Sequence, residues 1–114
     1  MGKGDEMEER EFMVAADAEL ARIETALDAA SERGVADFDF ETKPGGVIEI
    51  EFDNGSKIIL NRHGAAREIW LAAKSGGYHF RPEGGRWLGT RDGEELLAAL
   101  SRTLSEQAGV RVAL

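Results

Sequence analysis

The sequence predicts an α+β fold, a two-layer α/β sandwich with two helices on one face of an antiparallel sheet of about six strands. Three observations predict it. Apolar residues recur at steps of three and four only near the two ends of the chain. Between them lie short runs of alternating character. The turn signals joining those runs are too short for parallel crossovers, so the strands form a meander. Two amphipathic helices need one sheet face to bury against. The other face is left open to solvent or to a partner.

Taken in order, Met1–Asp5 reads as a loose leader to a single domain spanning residues 1–114. From about Glu6 to Glu32, Phe12, Ala16, Leu20, Ile23, Leu27 and Ala30 fall on one helix face, and Gly34 ends the helix. Asp37–Glu41 alternates as a half-buried strand, and Pro44-Gly45-Gly46 is a turn. Val47–Phe52 follows, with Ile48, Ile50 and Phe52 on one side and Glu49 and Glu51 on the other. Asp53-Asn54-Gly55 closes a hairpin into Ser56–Asn61. A two-residue Asn-Gly turn would set Ile48 beside Asn61. A three-residue loop sets Ile50 beside Ile58, Ile48 beside Leu60 and Glu51 beside Lys57, and turns Asn61 outward. The second register is preferred, because it matches apolar with apolar and pairs opposite charges.

Glu68–Ala73 is a further strand with Ile69 and Leu71 inward and Trp70 outward. Tyr78–Arg81 and Arg86–Leu88 are two more, joined by Pro82-Glu83-Gly84-Gly85 as a turn. Asp92 and Glu95 form a capping box, Asp92 as N-cap, opening a helix that carries Leu96, Leu97, Leu100 and Leu104 inward and ends near Gly109. The apolar tail Val110–Leu114 is expected to pack back on the body.

The charge is divided unevenly. Residues 1–53 carry 16 acids against 5 bases, and residues 54–114 carry 6 against 9, which together give the net −8. Such a surface has a negative pole that attracts cations or a basic partner. The same acidity argues against nucleic acid. With no cysteine, thiol nucleophiles and thiolate metal sites are excluded. No apolar run is long enough to span a membrane and no signal-peptide layout opens the chain, so a cytoplasmic location is expected. No nucleophile elbow, phosphate loop or H-E-x-x-H motif is present, and the chain is not expected to be an enzyme.

Two features could carry function. The first is acidic. At about 100° per residue, Asp17, Glu24, Asp28 and Glu32 fall within roughly 80° of each other on the first helix. Asp37, Asp39 and Glu41 continue the cluster onto the next strand. Glu24, Asp28 and Glu32 make two repelling i,i+4 pairs, at a cost of a few tenths of a kcal/mol each. The plain reading is a solvated helix face. The functional one is an open site for a hard cation such as iron, manganese, calcium or magnesium, or a docking pole. The second feature is Trp70 on the open face, a candidate interface anchor with Asn61, Arg62 and Arg67 as its polar rim. His63 and His79 lack metal-binding spacings and read as structural.

Three segments carry a resemblance. Asn54-Gly55-Ser56-Lys57-Ile58-Ile59-Leu60-Asn61-Arg62, Glu68-Ile69-Trp70-Leu71-Ala72 and Gly76-Gly77-Tyr78-His79-Phe80 closely resemble the frataxin family, above all its bacterial members. The likeness runs from about Phe12 to Leu114. It implies a protein of iron–sulfur cluster assembly that holds iron (Fe2+ or Fe3+) weakly and exchangeably and docks on the cysteine desulfurase and its scaffold protein. It implies a monomer, with oligomers under iron load. Glu24, Asp28, Glu32, Asp37, Asp39 and Glu41 stand at the family's iron-binding ridge. Asn61, Arg62 and Trp70 stand at its partner face, and Glu24 and Asp28 also serve docking. Two departures stand out. Thr25, Ala29, Ala30 and Ser31 thin the ridge, and His63-Gly64-Ala65 replaces the usual Gln-x-Pro. The competing reading is an acidic adaptor with no specific metal role.

Overall fold

The computed structural model describes residues 8–34 and 36–114, so the expected leader lies outside the described residues. The order is α1 (Glu9–Arg33), β1 (Phe38–Lys43), β2 (Val47–Phe52), β3 (Lys57–His63), β4 (Glu68–Ala73), β5 (Gly76–Glu83), β6 (Arg86–Gly89) and α2 (Leu96–Ala108). The six strands form one antiparallel sheet in sequence order. Both helices cover one face. All six residues expected on the inner face of α1 are buried, and they meet Ile48, Ile50, Ile58, Leu60, Ile69 and Leu71 from the sheet. Burying side chains of this size contributes about 1.5–3 kcal/mol each. Phe12 also meets Trp87 edge to face, with ring centroids 5.9 Å apart, which fixes the N-terminal half of α1 over β6.

The expected hairpin register is the observed one: Ile48 faces Leu60, Ile50 faces Ile58 and Glu51 faces Lys57. The lysine, however, reaches diagonally and holds Glu49 instead, at 2.7 Å. Gln107, buried near the end of α2, ties the layers together. Its amide donates to Ser56 Oγ (3.0 Å) and Lys57 O (3.2 Å), and its oxygen accepts Lys74 N–H (2.8 Å). The tail packs back as expected: Val112 is buried, and Leu114 N–H donates to Ser101 Oγ at 3.0 Å. Arg33, in the last turn of α1, donates to Ala113 O at 2.9 Å.

Three local expectations are corrected. Asp92 does not cap α2. Its Oδ1 accepts Glu94 N–H at 3.1 Å in a local turn, and the helix begins one turn later with Glu95 as N-cap. Pro82 and Glu83 belong to β5, not to the turn. Gly84 and Gly85, with φ of 59° and 82°, make the whole connection, a two-residue turn that needs positive φ twice. Pro82 is tolerated because β4 pairs with β5 only as far as Phe80. Leu97 is only half-buried, at the rim of the core, whereas Leu96, Leu100 and Leu104 point fully inward. Among the described residues no helix is long and apolar enough to cross a membrane.

Candidate functional site

The acidic residues follow α1 to the sheet edge and then divide. Asp28 and Glu32 are exposed on the helix and Glu24 is half-buried. Asp37 stands at the entry to β1, the sheet's edge strand. In β1, Phe38 and Phe40 turn toward the helices, so Asp39 and Glu41 point to the open face. The strip therefore wraps around an edge rather than lying on one plane. Asp17 is drawn out of it, ion-paired with Arg62. Glu24, Asp28, Glu32, Asp37, Asp39 and Glu41 form no ion pair among the described residues. Nor, among the described residues, do any three His, Asp or Glu side chains converge tightly enough to hold one ion.

Register adds acids that single-strand reading missed. Asp39 faces Glu51 and Glu41 faces Glu49 across the β1–β2 ladder. Asp37, Asp39, Glu51 and Asp53 together line a shallow hollow of about 670 Å³ below the end of α1. Once both hairpins are aligned, Glu51 and Asp53 could have been found from the alternation alone. Glu49 plays a different part. Lys43 and then Lys57 hydrogen-bond its carboxylate and hold it well below the usual range, at about 2. Glu49 in turn raises both lysines.

The open face of the sheet carries the second feature. Trp70 faces Asn61 on β3 and His79 on β5. Its indole lies between two imidazoles. His63, on the diagonal, is 4.0 Å away between centroids with 14° between planes, and His79 is 4.5 Å away with 9°. Glu68, on the same strand and face, is buried to 8% exposure. Its Oε1 accepts the indole N–H at 2.8 Å and lies 3.4 Å from His79 Nδ1, while Oε2 accepts Arg81 Nε–H at 3.3 Å. His63 is anchored in turn, its Nδ1 accepting Ala66 N–H at 3.3 Å.

The structure thus brings Asn61 and Trp70 together and separates Arg62 from them. Alternation turns Arg62 to the helix side, where its stem passes over Gly46 and its guanidinium meets Asp17. Arg67 stays in the β3–β4 loop, with its guanidinium on Gly64 O at 2.6 Å. Glu68, His63 and His79 form the immediate surroundings of Trp70. Single-strand alternation could have placed Glu68 beside Trp70, but the histidines' stacking depends on a three-strand register that no local pattern displays.

The family description "Frataxin-like domain" matches residues 5–110. The protein named "Iron-sulfur cluster assembly protein CyaY" from Dechloromonas aromatica is 52% identical over 108 residues, covering 95% of this chain and 99% of that one. The protein of the same name from Cupriavidus taiwanensis is 50% identical over 103 residues, covering 90% and 92%. Among solved structures, frataxin from Psychromonas ingrahamii has a TM-score of 0.77 at 29% identity, covering 94% and 97% of the two chains. Trimeric frataxin from Saccharomyces cerevisiae, solved as a ferrous complex, has a TM-score of 0.72 at 26% identity, covering 83% and 86%.

Proposed function

This chain belongs to the frataxin-like family, and from that premise we propose that it serves iron–sulfur cluster assembly as a cytoplasmic iron-binding regulator that docks on the cysteine desulfurase and scaffold complex. One observation carries the reading. Six carboxylates, from Glu24 to Glu41, follow α1 onto the β1 edge with no ion-pair partner among the described residues, and Glu51 and Asp53 beside them have none either. Unpaired exposed oxygens are the donors that a hard cation takes. Because they are spread around an edge, each ion has few protein ligands and keeps much of its water. That favours weak, exchangeable binding of iron as cargo. The same unpaired charge steers the protein toward a basic patch on the desulfurase. Trp70 and Asn61 grip the scaffold side.

The double change Glu24→Lys with Asp28→Lys tests this. Isothermal titration with ferrous iron and with the desulfurase is expected to show both affinities reduced about tenfold or more, since two attractions become repulsions. Thermal stability stays level or rises. Retention of both affinities would remove the strip from function. Trp70→Ala is expected to weaken binding to the scaffold complex by about 100-fold, as a central Trp does, and to leave iron binding unchanged. Equal loss in both assays would mean a single surface.

The absence of any three-ligand cluster among the described residues favours the second reading, an acidic adaptor without a metal role. Ferrous titration followed by NMR at near-physiological salt separates the two. Broadening confined to α1 and β1 supports iron handling, and broadening at every surface acid supports the adaptor. Metal-free protein is expected to run as a monomer. Since the yeast relative was solved as a trimer, size-exclusion under iron load tests whether larger species form here.

A further inference from the structure

We propose that His63 is a positioning residue of the docking face: by covering the second side of the indole it holds Trp70 edge-on, so that a partner meets ring edges and not a ring face. This rests on the reading of the open sheet face as the docking surface. A lone exposed tryptophan has two free faces and offers stacking to any flat group. Here neither face is free. His79 covers one from directly across the β4–β5 ladder, and His63 covers the other from the diagonal position on β3. The remaining freedom, rotation about the side-chain bonds, is blocked by the 2.8 Å bond from the indole N–H to Glu68. Glu68 cannot swing away, because it is buried and also holds Arg81.

His63 is itself fixed from the loop. Its Nδ1 accepts Ala66 N–H, which leaves Nε2 to carry the proton as a donor. The loop is short and braced: Arg67 N–H and its guanidinium both donate to Gly64 O, at 3.2 and 2.6 Å. The three rings therefore make one slab that presents ring edges outward, with the indole N–H taken by Glu68 and His63 Nε2–H left as a donor. Ring edges carry the positive part of the aromatic quadrupole. Beside them stands the Arg81 guanidinium, which is 67% exposed. The chemistry that fits is a segment of the scaffold complex presenting carbonyl or carboxylate oxygens.

Labelling with 5-fluorotryptophan gives one 19F resonance for Trp70, assigned with Trp70→Phe, and one for Trp87, which reports on the core. In His63→Ala the Trp70 resonance is expected to move and to gain a larger H2O/D2O isotope shift, with Trp87 unchanged. Affinity for the purified desulfurase–scaffold complex is expected to fall about three- to tenfold, the effect of losing one preorganised side chain. His63→Phe restores the flat ring and is expected to return both readouts to the parent's. An unmoved Trp70 resonance in His63→Ala overturns the proposal. So does parental affinity in His63→Ala while Trp70→Ala still binds weakly, a result that leaves the docking face itself intact. Parental affinity in Trp70→Ala instead removes the docking reading, and the role of His63 with it. If Trp87 shifts in His63→Ala, His63→Gln replaces it, with the same two outcomes.

Discussion

The acidic strip and the aromatic slab occupy different strands of one sheet, the edge strand β1 and the inner strands β3 to β5, and are built on opposite rules. In the slab the indole N–H, the Glu68 carboxylate, Arg81 Nε and His63 Nδ1 all have partners. In the strip six carboxylates have no ion-pair partner among the described residues. The slab is preorganised, which limits what it can fit and lowers the cost of fitting it. The strip is adaptable, and its charges await an incoming ion or basic surface. One small fold thus offers a rigid contact and a compliant one on separate strands of the same sheet.

The comparison can be broken most forcefully at Glu68. Glu68→Ala leaves the Trp70 indole N–H and Arg81 without their acceptor, and a denaturant melt is expected to show a loss of about 1–3 kcal/mol. A loss under a few tenths would mean that the slab is held by stacking alone. The matching truncation in the strip, Asp28→Ala, relieves two repelling i,i+4 contacts. The same melt is expected to show a gain of a few tenths of a kcal/mol. A clear loss there would show a hidden partner and erase the contrast.

The smallest effect sharpens the boundary between the regions. Glu49 belongs to neither, being an acid on the open face already clamped by Lys43 and Lys57 and held at about 2 against an ordinary 4.5. A carboxylate depressed in the folded state stabilises above its unfolded value, and that contribution fades as pH falls toward the folded one. Stability of the parent is therefore expected to decline between about pH 4.5 and 2 more steeply than that of Glu49→Gln. Because the clamp is solvent-exposed, the difference shrinks in high salt. Superimposable acid profiles would show that the lysines do not engage Glu49 in solution.

The sequence made the scaffold legible where a local period sets the answer. Phe12 to Ala30 on α1 and the Ile50–Ile58 register needed only spacing and charge matching. It misled where two local devices compete. Asp92 has the spacing of an N-cap, yet Gly93, with φ of 77°, lets it close a turn of its own before α2 starts. It was silent where several strands must align at once. Arg62 follows Asn61 in β3, yet neighbours in a strand face opposite ways, so Asn61 joins Trp70 while Arg62 turns to Asp17. His63, Trp70 and His79 come from three strands, and their stacking depends on two registers and the braced loop at 64–67. The acidic residues were legible as a set, but their wrapping around the β1 edge follows from side-chain alternation in a strand whose burial only the fold decides.

The tail offers a last consequence. Arg33 and Ala113 are 80 residues apart in sequence, yet the guanidinium of one grips the carbonyl of the other, while Val112 is sunk in the core and Leu114 is pinned to α2. The C-terminal residues thus work as a strap from α2 to the last turn of α1. Cutting it would slacken the last turns of α1, where Asp28 and Glu32 stand, so trimming a few terminal residues would be felt at the cation-facing end of the molecule without touching a single carboxylate there.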